Sequence, residues 1–314
     1  MKRILSILFC LPALTAFGQY IEVGVFAGAS NYQGDLAPVA FVPSETHPSI
    51  GLFYKFNFNY WFAVKGSVYS GLISGDDDNS TEKWKQERNL SFQSPIQEAS
   101  MFMELFLKKY NPNLKWNILS PYIFAGVGIY HFNPRANYQG VWYDLQPLGT
   151  EGQGSPLYPE RVPYDLTQVC FPMGLGFKGS LSKDWNLGIE MGYRKTLTDY
   201  LDDVSTTYVS KEILLEEKGD IAWQLSNRTD EMNGGTEVLK DDHKYRGDDT
   251  NKDWYIFSGV TLSRNFETKG WTEKKFKQGN AKKPGLKASR KKADCPGIRK
   301  SFKKNKYGHK GLFH

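Results

Sequence analysis

The chain has few of the residues on which enzymes and disulfide-stabilised domains depend. Its 314 residues include three cysteines and five histidines. The cysteines Cys10, Cys170 and Cys295 are too far apart in sequence to form a disulfide framework. The Gly-x-Ser-x-Gly, P-loop, His-Glu-x-x-His and Cys-x-x-Cys motifs are all absent. We therefore predict a protein that is not an enzyme, with no catalytic residue, no cofactor and no bound metal.

Long apolar runs are also missing after the first 18 residues. The mean hydropathy is −0.51, and no later run is long enough for a membrane-spanning helix. At the start, Lys2 and Arg3 precede a short apolar run, and Ala16 and Gly18 provide small residues at the −3 and −1 positions of a cleavage site. Residues 1–18 are therefore predicted to be a secretory signal peptide. Cys10 lies inside the apolar run, which argues against a lipid-modified start.

Aromatic residues and glycines are plentiful, at 15% and 30 residues respectively, which favours strands and turns. Apolar residues alternate with polar or small ones in several stretches of about ten residues, the pattern of a strand with two different faces. The predicted strands are 21–29, 50–58, 62–72, 98–107, 122–129, 169–181, 185–194 and 254–266.

The connections between these strands favour a membrane barrel over a soluble β-sandwich, because short and long connections alternate along the chain. Aromatic residues also lie near the strand ends, as in the two interfacial girdles of such barrels. The predicted girdle at the short-turn end consists of Tyr20, Tyr60, Trp61, Trp116, Tyr122, Trp185 and Phe266, and the predicted long-loop girdle consists of Tyr32, Tyr69, Tyr130, Phe132, Tyr193 and Trp254.

The predicted fold is therefore all-β: an eight-stranded antiparallel up-and-down transmembrane β-barrel with long outer loops, formed by residues 19–266. An even number of strands returns the chain to its starting side, so both termini are expected in the periplasm and the barrel in the outer membrane.

Charged residues on the predicted inner faces have both signs. They are Glu22, Glu98, Glu104, Glu190, Lys55, Lys65, Lys178 and Arg194. Because unpaired buried charges are costly, we expect a compensating network of salt bridges in a filled lumen. A proton or ion path through the lumen is the alternative.

The outer loops contain acidic clusters at 76–78, at 202–203 and in the pattern Asp249-x-Asn251-x-Asp253. We interpret them as solvated loop charge; a calcium site at the last of them is the alternative, although that segment lacks the glycine and the distant glutamate of a calcium loop. The last loop also contains a predicted helix at 211–218. Ile221, Trp223 and Leu225 follow it and should pack against neighbouring loops or a partner.

The segment after Phe266 differs from the rest of the chain. Residues 267–314 contain 16 lysines and arginines against three acids, a net charge of about +13. We predict a disordered basic periplasmic tail, because such a segment cannot build a core. Export removes nucleic acid as a partner. The residues expected to bind an acidic partner protein, lipid headgroups or peptidoglycan are Lys274, Lys275, Lys277, Lys291, Lys292, Lys303 and Lys304. Cys295 lies in this tail and Cys170 at the outer end of its strand, so they are not expected to pair.

Three segments carry a resemblance to a known family. They are 24–36 (GVFAGASNYQGDL), 198–208 (TDYLDDVSTTY) and 251–262 (NKDWYIFSGVTL), of which the second is the most specific. Together they resemble PorG-like outer-membrane barrels of the type IX secretion system, with a match in pattern over roughly residues 20–266. The loop 133–168 and the basic tail have no residue-level counterpart.

This resemblance implies a non-enzymatic role in protein secretion and, in gliding cells, in gliding motility. PorG-like proteins are associated with the periplasmic ring made of the PorK lipoprotein and PorN, so the resemblance implies that this chain anchors or positions such a ring. The alternative from the residues is a small surface barrel that uses its long outer loops for adhesion or ligand capture. A lipid hydrolase would require activity dependent on His131 or on a loop histidine.

Overall fold

A computed structural model describes residues 20–37, 41–110, 119–236, 238 and 244–267. Its strands are β1 (Tyr20–Gln33), β2 (His47–Asn57), β3 (Phe62–Asp76), β4 (Ser91–Phe106), β5 (Leu119–Phe132), β6 (Arg135–Tyr138), β7 (Val141–Asp144), β8 (Thr167–Ser180), β9 (Trp185–Thr196) and β10 (Trp254–Glu267). Its α-helices are α1 (Lys83–Arg88), α2 (Lys211–Glu217), α3 (Asp220–Ser226) and α4 (Thr229–Met232), and short 3-10 helices span Pro43–Glu45, Asp77–Asn79 and Gln146–Leu148.

Eight of the strands close into an antiparallel barrel. Neighbouring strands follow the order β3-β2-β1-β10-β9-β8-β5-β4, and β3 also pairs with β4, which closes the ring. The first and last strands pair along their whole length, from Tyr20 opposite Glu267 to Gln33 opposite Trp254. This confirms the predicted fold and all eight predicted strands. The sequence prediction missed the hairpin β6–β7, which lies in the 133–166 connection and joins β4 at a single residue pair.

The burial of the strands is inverted relative to a soluble protein. Outward-facing apolar side chains are largely exposed on each of the eight barrel strands, as illustrated by Ile50 (67%), Met103 (61%) and Ile189 (62%), whereas inward-facing Lys65 and Glu104 are fully buried. Such an apolar outer surface on a closed ring of paired strands requires a lipid surrounding. The barrel therefore spans a membrane with its strands. In the described part of the chain, no helix is both long enough and apolar enough to cross a membrane.

An outward girdle of aromatic residues lies at one end of the barrel. At the short-turn end, Trp61, Trp185 and Phe266 are exposed, and the Arg264 guanidinium lies over the rings of Trp185 and Phe266. Of the other predicted members at this end, Tyr122 points inward and Trp116 lies outside the described residues.

The predicted girdle at the long-loop end is wrong for four of its six members. Their side chains are buried inside the barrel mouth: Tyr32, Tyr69, Tyr130 and Phe132. The physical reason is strand parity, because each of these residues falls on the same face as the buried side chains of its strand. They therefore fill the lumen instead of facing lipid.

Inward glycines make room for these rings. Gly174 of β8 pairs with Gly192 of β9, and a Cβ atom on either would lie within 2.7 Å of the Phe124 ring. Two adjacent positions without side chains thus let one large ring cross the lumen, as a narrow eight-stranded barrel requires.

Candidate functional site

The barrel lumen contains four buried ion pairs. Nitrogen and oxygen lie 2.7 Å apart in Lys55–Glu104 and in Lys65–Glu190, and 3.0 Å apart in Arg194–Glu98; Lys178 contacts Glu22 in the fourth pair. These are the eight inward charges predicted from the sequence, each paired with another of the set. The expected compensating network is therefore confirmed.

Hydroxyl groups tie these pairs to the aromatic filling of the lumen. Tyr69 and Tyr122 donate hydrogen bonds of 3.1 Å and 2.8 Å to Glu190, and Tyr255 donates one of 2.9 Å to Glu98. The Tyr69 ring stacks on Phe257 with centroids 5.1 Å apart. Charges, hydroxyls and rings together fill the cross-section, so the lumen is a packed interior.

The long connections fold into an ordered cap at one end of the barrel. We use the name cap for the described parts of 34–46, 77–90, 133–166 and 197–253. The segment 198–208, which carries the most specific part of the resemblance, lies at its centre: Leu201, Asp202, Asp203 and Val204 are at most 1% exposed. The predicted helix 211–218 is present as α2. Trp223 and Leu225 are buried, which confirms their predicted packing against neighbouring loops.

The interpretation of the acidic loop clusters as solvated charge is wrong for four carboxylates. The residues concerned, all at most 1% exposed, are Asp77, Asp202, Asp203 and Asp253. The folded loops supply each of them with hydrogen-bond partners. Asp77, for example, accepts two hydrogen bonds of 2.7 Å from the Arg88 guanidinium. Hydrogen bonds to both carboxylate oxygens offset the desolvation cost of burying this charge.

Glu151 and Arg246 form the central ion pair of the cap. Their charged groups lie 2.9 Å apart, and both side chains are buried. Arg246 also donates to the main-chain oxygens of Asp203 and Ser226, while the Glu151 carboxylate accepts from the main-chain N–H groups of Ser205 and Thr206. The pair thereby joins three separate loop segments.

One tyrosine hydroxyl lies between two buried carboxyl groups. The Tyr32 oxygen is 2.6 Å from Asp202 and 2.9 Å from Asp253. A hydroxyl has one hydrogen to donate, so the two carboxyl groups compete for it. Burial raises the pKa of both Asp202 and Asp253 well above the ordinary value.

Two further carboxyl groups of the cap titrate near neutrality. Burial raises the pKa of Asp199 to about 7, although the Ser205 hydroxyl donates to it at 2.8 Å. Burial raises the pKa of Asp203 to about 6, with Arg246 acting in the opposite direction. The charge of the cap therefore changes over the neutral pH range.

The calcium alternative at Asp249, Asn251 and Asp253 has no support in the geometry. Asp249 is exposed, whereas Asp253 is buried and accepts hydrogen bonds from Tyr32 and from the main-chain N–H of Leu201. Across the described residues, no group of three or more His, Cys, Asp or Glu side chains could hold a metal ion.

The histidines do not form a serine-hydrolase triad in the described residues. His131 lies at the outer strand end as predicted, with its Nδ1 2.9 Å from the Thr167 hydroxyl. His47 Nε2 lies 2.7 Å from the Ser74 hydroxyl, but Ser74 donates to the Glu45 carboxylate. In a triad the acid contacts the second ring nitrogen of the histidine. Here the acid, Glu45, contacts the serine instead, so the three residues do not form a triad.

Several predicted features fall in parts of the chain that the structure does not describe. The signal peptide 1–18, His243, His309, His314 and the basic tail beyond Glu267 lie outside the described residues. So do the predicted partner-binding residues Lys274, Lys275, Lys277, Lys291, Lys292, Lys303 and Lys304, together with Cys295. Cys170 is a buried free thiol, and its sulfur lies 3.3 Å from the Tyr255 hydroxyl.

Comparison with known proteins gives a family likeness over part of the chain. A family described as "Domain of unknown function (DUF6089)" matches residues 2–144. No curated protein matches.

Three solved structures illustrate the proteins with a similar backbone fold. Ail, the attachment invasion locus protein of Yersinia pestis, in complex with the heparin analogue sucrose octasulfate, is 8% identical with a TM-score of 0.37, over 79% of this chain and 98% of that one. Neisserial surface protein A is 7% identical with a TM-score of 0.39, over 78% and 97%. The outer membrane protein OprG from Pseudomonas aeruginosa is 7% identical with a TM-score of 0.32, over 81% and 99%. Values this low are no basis for a shared function.

Proposed function

We propose that this chain is a non-enzymatic outer-membrane component of the type IX secretion machinery that anchors or positions its periplasmic ring. The observation that carries the proposal is the filled lumen. Four buried ion pairs and stacked rings occupy the barrel interior, which leaves no passage for a folded cargo protein. A barrel with a filled lumen can act only by binding partners at its exposed surfaces, and an anchor for the ring requires no more than that.

The outer membrane is the proposed location because barrels of this type, with an apolar band and a predicted export signal, are inserted there. The short turns at 58–61 and 181–184 then face the periplasm together with both chain ends. In this orientation β10 ends at Glu267 on the side where ring proteins such as PorK and PorN would lie.

The buried position of 198–208 also supports the proposal. This segment carries the most specific resemblance to PorG-like barrels, and its side chains hold the cap together. Its sequence is thus accounted for by cap structure, and no ligand needs to be invoked for it. Ring contacts are accordingly proposed for the opposite end of the barrel.

A pull-down from native outer membranes in mild detergent tests the proposal. The full chain should retain PorK-like and PorN-like partners, and a chain that ends at Gly270 should lose them. If the truncated chain keeps them, the anchor role stands and the contact moves to the barrel turns. If neither chain retains them, the secretion role is refuted.

Charge reversal separates the tail from the turns. Replacing Lys274, Lys275, Lys277, Lys291, Lys292, Lys303 and Lys304 by glutamate should abolish ring association if the tail supplies the attraction. The matched control reverses Lys108 and Lys183, which are exposed at the short-turn end of the barrel. If the tail variant and the control retain the ring proteins equally well, these seven lysines have no role in ring association.

A surface role in adhesion or ligand capture is the second candidate, because the cap exposes large apolar side chains. They include Trp142 (53%), Val162 (69%) and Tyr245 (75%). Deleting 195–253 would remove Asp202, Asp253 and their contacts, so it would test stability instead of adhesion. Trp142→Ser and Tyr245→Ser leave the buried cap intact. If these variants abolish function while the chain ending at Gly270 remains active, the surface role is the better account.

A further inference from the structure

A row of three residues crosses adjacent strands at the long-loop edge of the outer barrel face. Gln33 of β1 pairs with Trp254 of β10, and Trp254 pairs with Lys195 of β9. Strand alternation places them on the same face as the lipid-exposed Val260 and Met191. The row therefore lies where the lipid headgroups meet the barrel.

A cavity of about 530 Å³ opens at this row. Above the row its wall contains Lys85 and Lys252. Together with Lys195 of the row, three lysines line the cavity. The Lys85 ammonium donates to the main-chain oxygen of Asp35 at 2.9 Å, and that of Lys252 donates to the main-chain oxygen of Asp249 at 3.1 Å. Since an ammonium has three donors, both retain donors for a ligand.

Two carboxylates also line the cavity, but loop hydrogen bonds engage them. Asp248 accepts from the main-chain N–H and the hydroxyl of Thr250 and from the Asn251 amide. Asp35 accepts from the main-chain N–H of Asp248 at 3.0 Å. These contacts are internal to the loops, and the three lysines of the wall outnumber its two carboxylates.

We infer that this cavity binds the phosphate of a membrane lipid headgroup, with Lys195 and Lys252 as its cationic partners. Phosphate oxygens are strong acceptors for ammonium groups. The Lys195 ammonium lies 5.6 Å from the centroid of the Trp254 ring, and an indole at this level suits the boundary between headgroup and acyl chain. A lipid in the surrounding leaflet presents its phosphate at this height while its acyl chains stay on the apolar band. This source fits the position better than a phosphate ion from bulk water.

Native mass spectrometry of the full chain in a neutral maltoside detergent can test the site. Dioleoyl phosphatidic acid and dioleoyl phosphatidylcholine are the two probes, added separately. Phosphatidic acid should be retained more strongly, because the choline cation of the other probe would face the lysines. Lys195→Gln and Lys252→Gln should each weaken its retention about fivefold. Lys183→Gln, which removes an exposed charge at the short-turn end, should leave retention unchanged.

Three results would overturn the inference. Equal retention of the two lipids would mean that Lys195 and Lys252 do not select an anionic headgroup over a zwitterionic one. An equal loss in Lys183→Gln would mean that net charge alone governs binding. Inorganic phosphate that displaces phosphatidic acid, with an affinity that depends on Lys195 and Lys252, would identify a site for a soluble anion. A role in secretion is not assumed here, so failure of the ring pull-down leaves this test unaffected.

Discussion

Single carboxyl groups of the cap respond to pH in a direction that can be worked out. Burial raises the pKa of Asp199 to about 7 and that of Asp203 to about 6, whereas in the unfolded chain both return to about 3.9. Between these values the folded chain binds more protons than the unfolded chain, so the free energy of unfolding decreases as pH rises.

We therefore predict that the cap is more stable at about pH 5 than at about pH 8, with most of the change occurring below about pH 7. Asp199→Asn should reduce this pH dependence, because it removes one of the titrating groups. Urea unfolding of the full chain in lipid vesicles at several pH values measures it, with the exposed Asp184→Asn as control. An unchanged pH profile in Asp199→Asn would contradict the assignment.

The ion pairs of the lumen allow a second prediction for single residues. Lys65→Met leaves Glu190 buried without its cation, although Tyr69 and Tyr122 still donate to it. We expect a loss of about 3–5 kcal/mol in the free energy of unfolding. Adding Glu190→Gln should recover much of this loss, since no charge then remains uncompensated.

Urea midpoints of the two variants in vesicles provide the comparison. A double variant that is no more stable than Lys65→Met would mean that the cost comes from packing around the Lys65 side chain. The exposed pair Arg135–Asp144, whose atoms lie 2.6 Å apart at about half exposure, is the matched reference. Arg135→Met should cost at most about 1 kcal/mol.

At the scale of elements, the cap and the barrel should differ in local stability. Arg246 joins Glu151, Asp203 and Ser226 from three loop segments, and these contacts all lie in the cap. Arg246→Ala should raise hydrogen exchange in 198–208 and in α3 while exchange in β8 and β9 stays unchanged.

Arg228 is a suitable control for this element, because it also lies in the cap but pairs with Glu231, three residues away, and donates to the Ser91 hydroxyl at the start of β4. Arg228→Ala should change exchange only around α4 and at the first residues of β4. If Arg246→Ala and Arg228→Ala have the same effect, the central ion pair does not organise the cap. If Arg246→Ala loosens the barrel strands as well, the cap and the barrel unfold as one unit.

The elements also explain which parts of this molecule could be predicted from its sequence. Along a barrel strand, side chains point alternately into the lumen and out to the lipid. The alternation of residue types around Ile50 and Ile189 was therefore enough to locate these strands and to assign their inner and outer faces. The inner charges had to be paired because an unpaired buried charge is costly, although parity alone does not match Lys65 with Glu190, 125 residues away.

The cap had no comparable local signal. Glu151 and Arg246 are 95 residues apart, and nothing near either residue indicates the other. Acidic loop residues such as Asp202 and Asp203 ordinarily remain in water, and only the folded loops provide the groups that bury them. The β6–β7 hairpin was missed for another reason, because strands of four residues are too short for the alternation pattern to identify.

At the scale of the whole molecule, the filled lumen predicts that the barrel does not conduct ions. Phe102 and Phe124 lie with ring centroids 5.2 Å apart in the interior, beside the Lys65 ammonium, which is 5.3 Å from the Phe102 centroid. The full chain in a planar lipid bilayer should show no steady single-channel current. The double variant Phe102→Ala and Phe124→Ala removes two rings from the same level, and leak currents in it would confirm that insertion and detection succeed. Steady currents through the unaltered chain would mean that the interior opens in the membrane, and the argument for an anchor from the filled lumen would then fail.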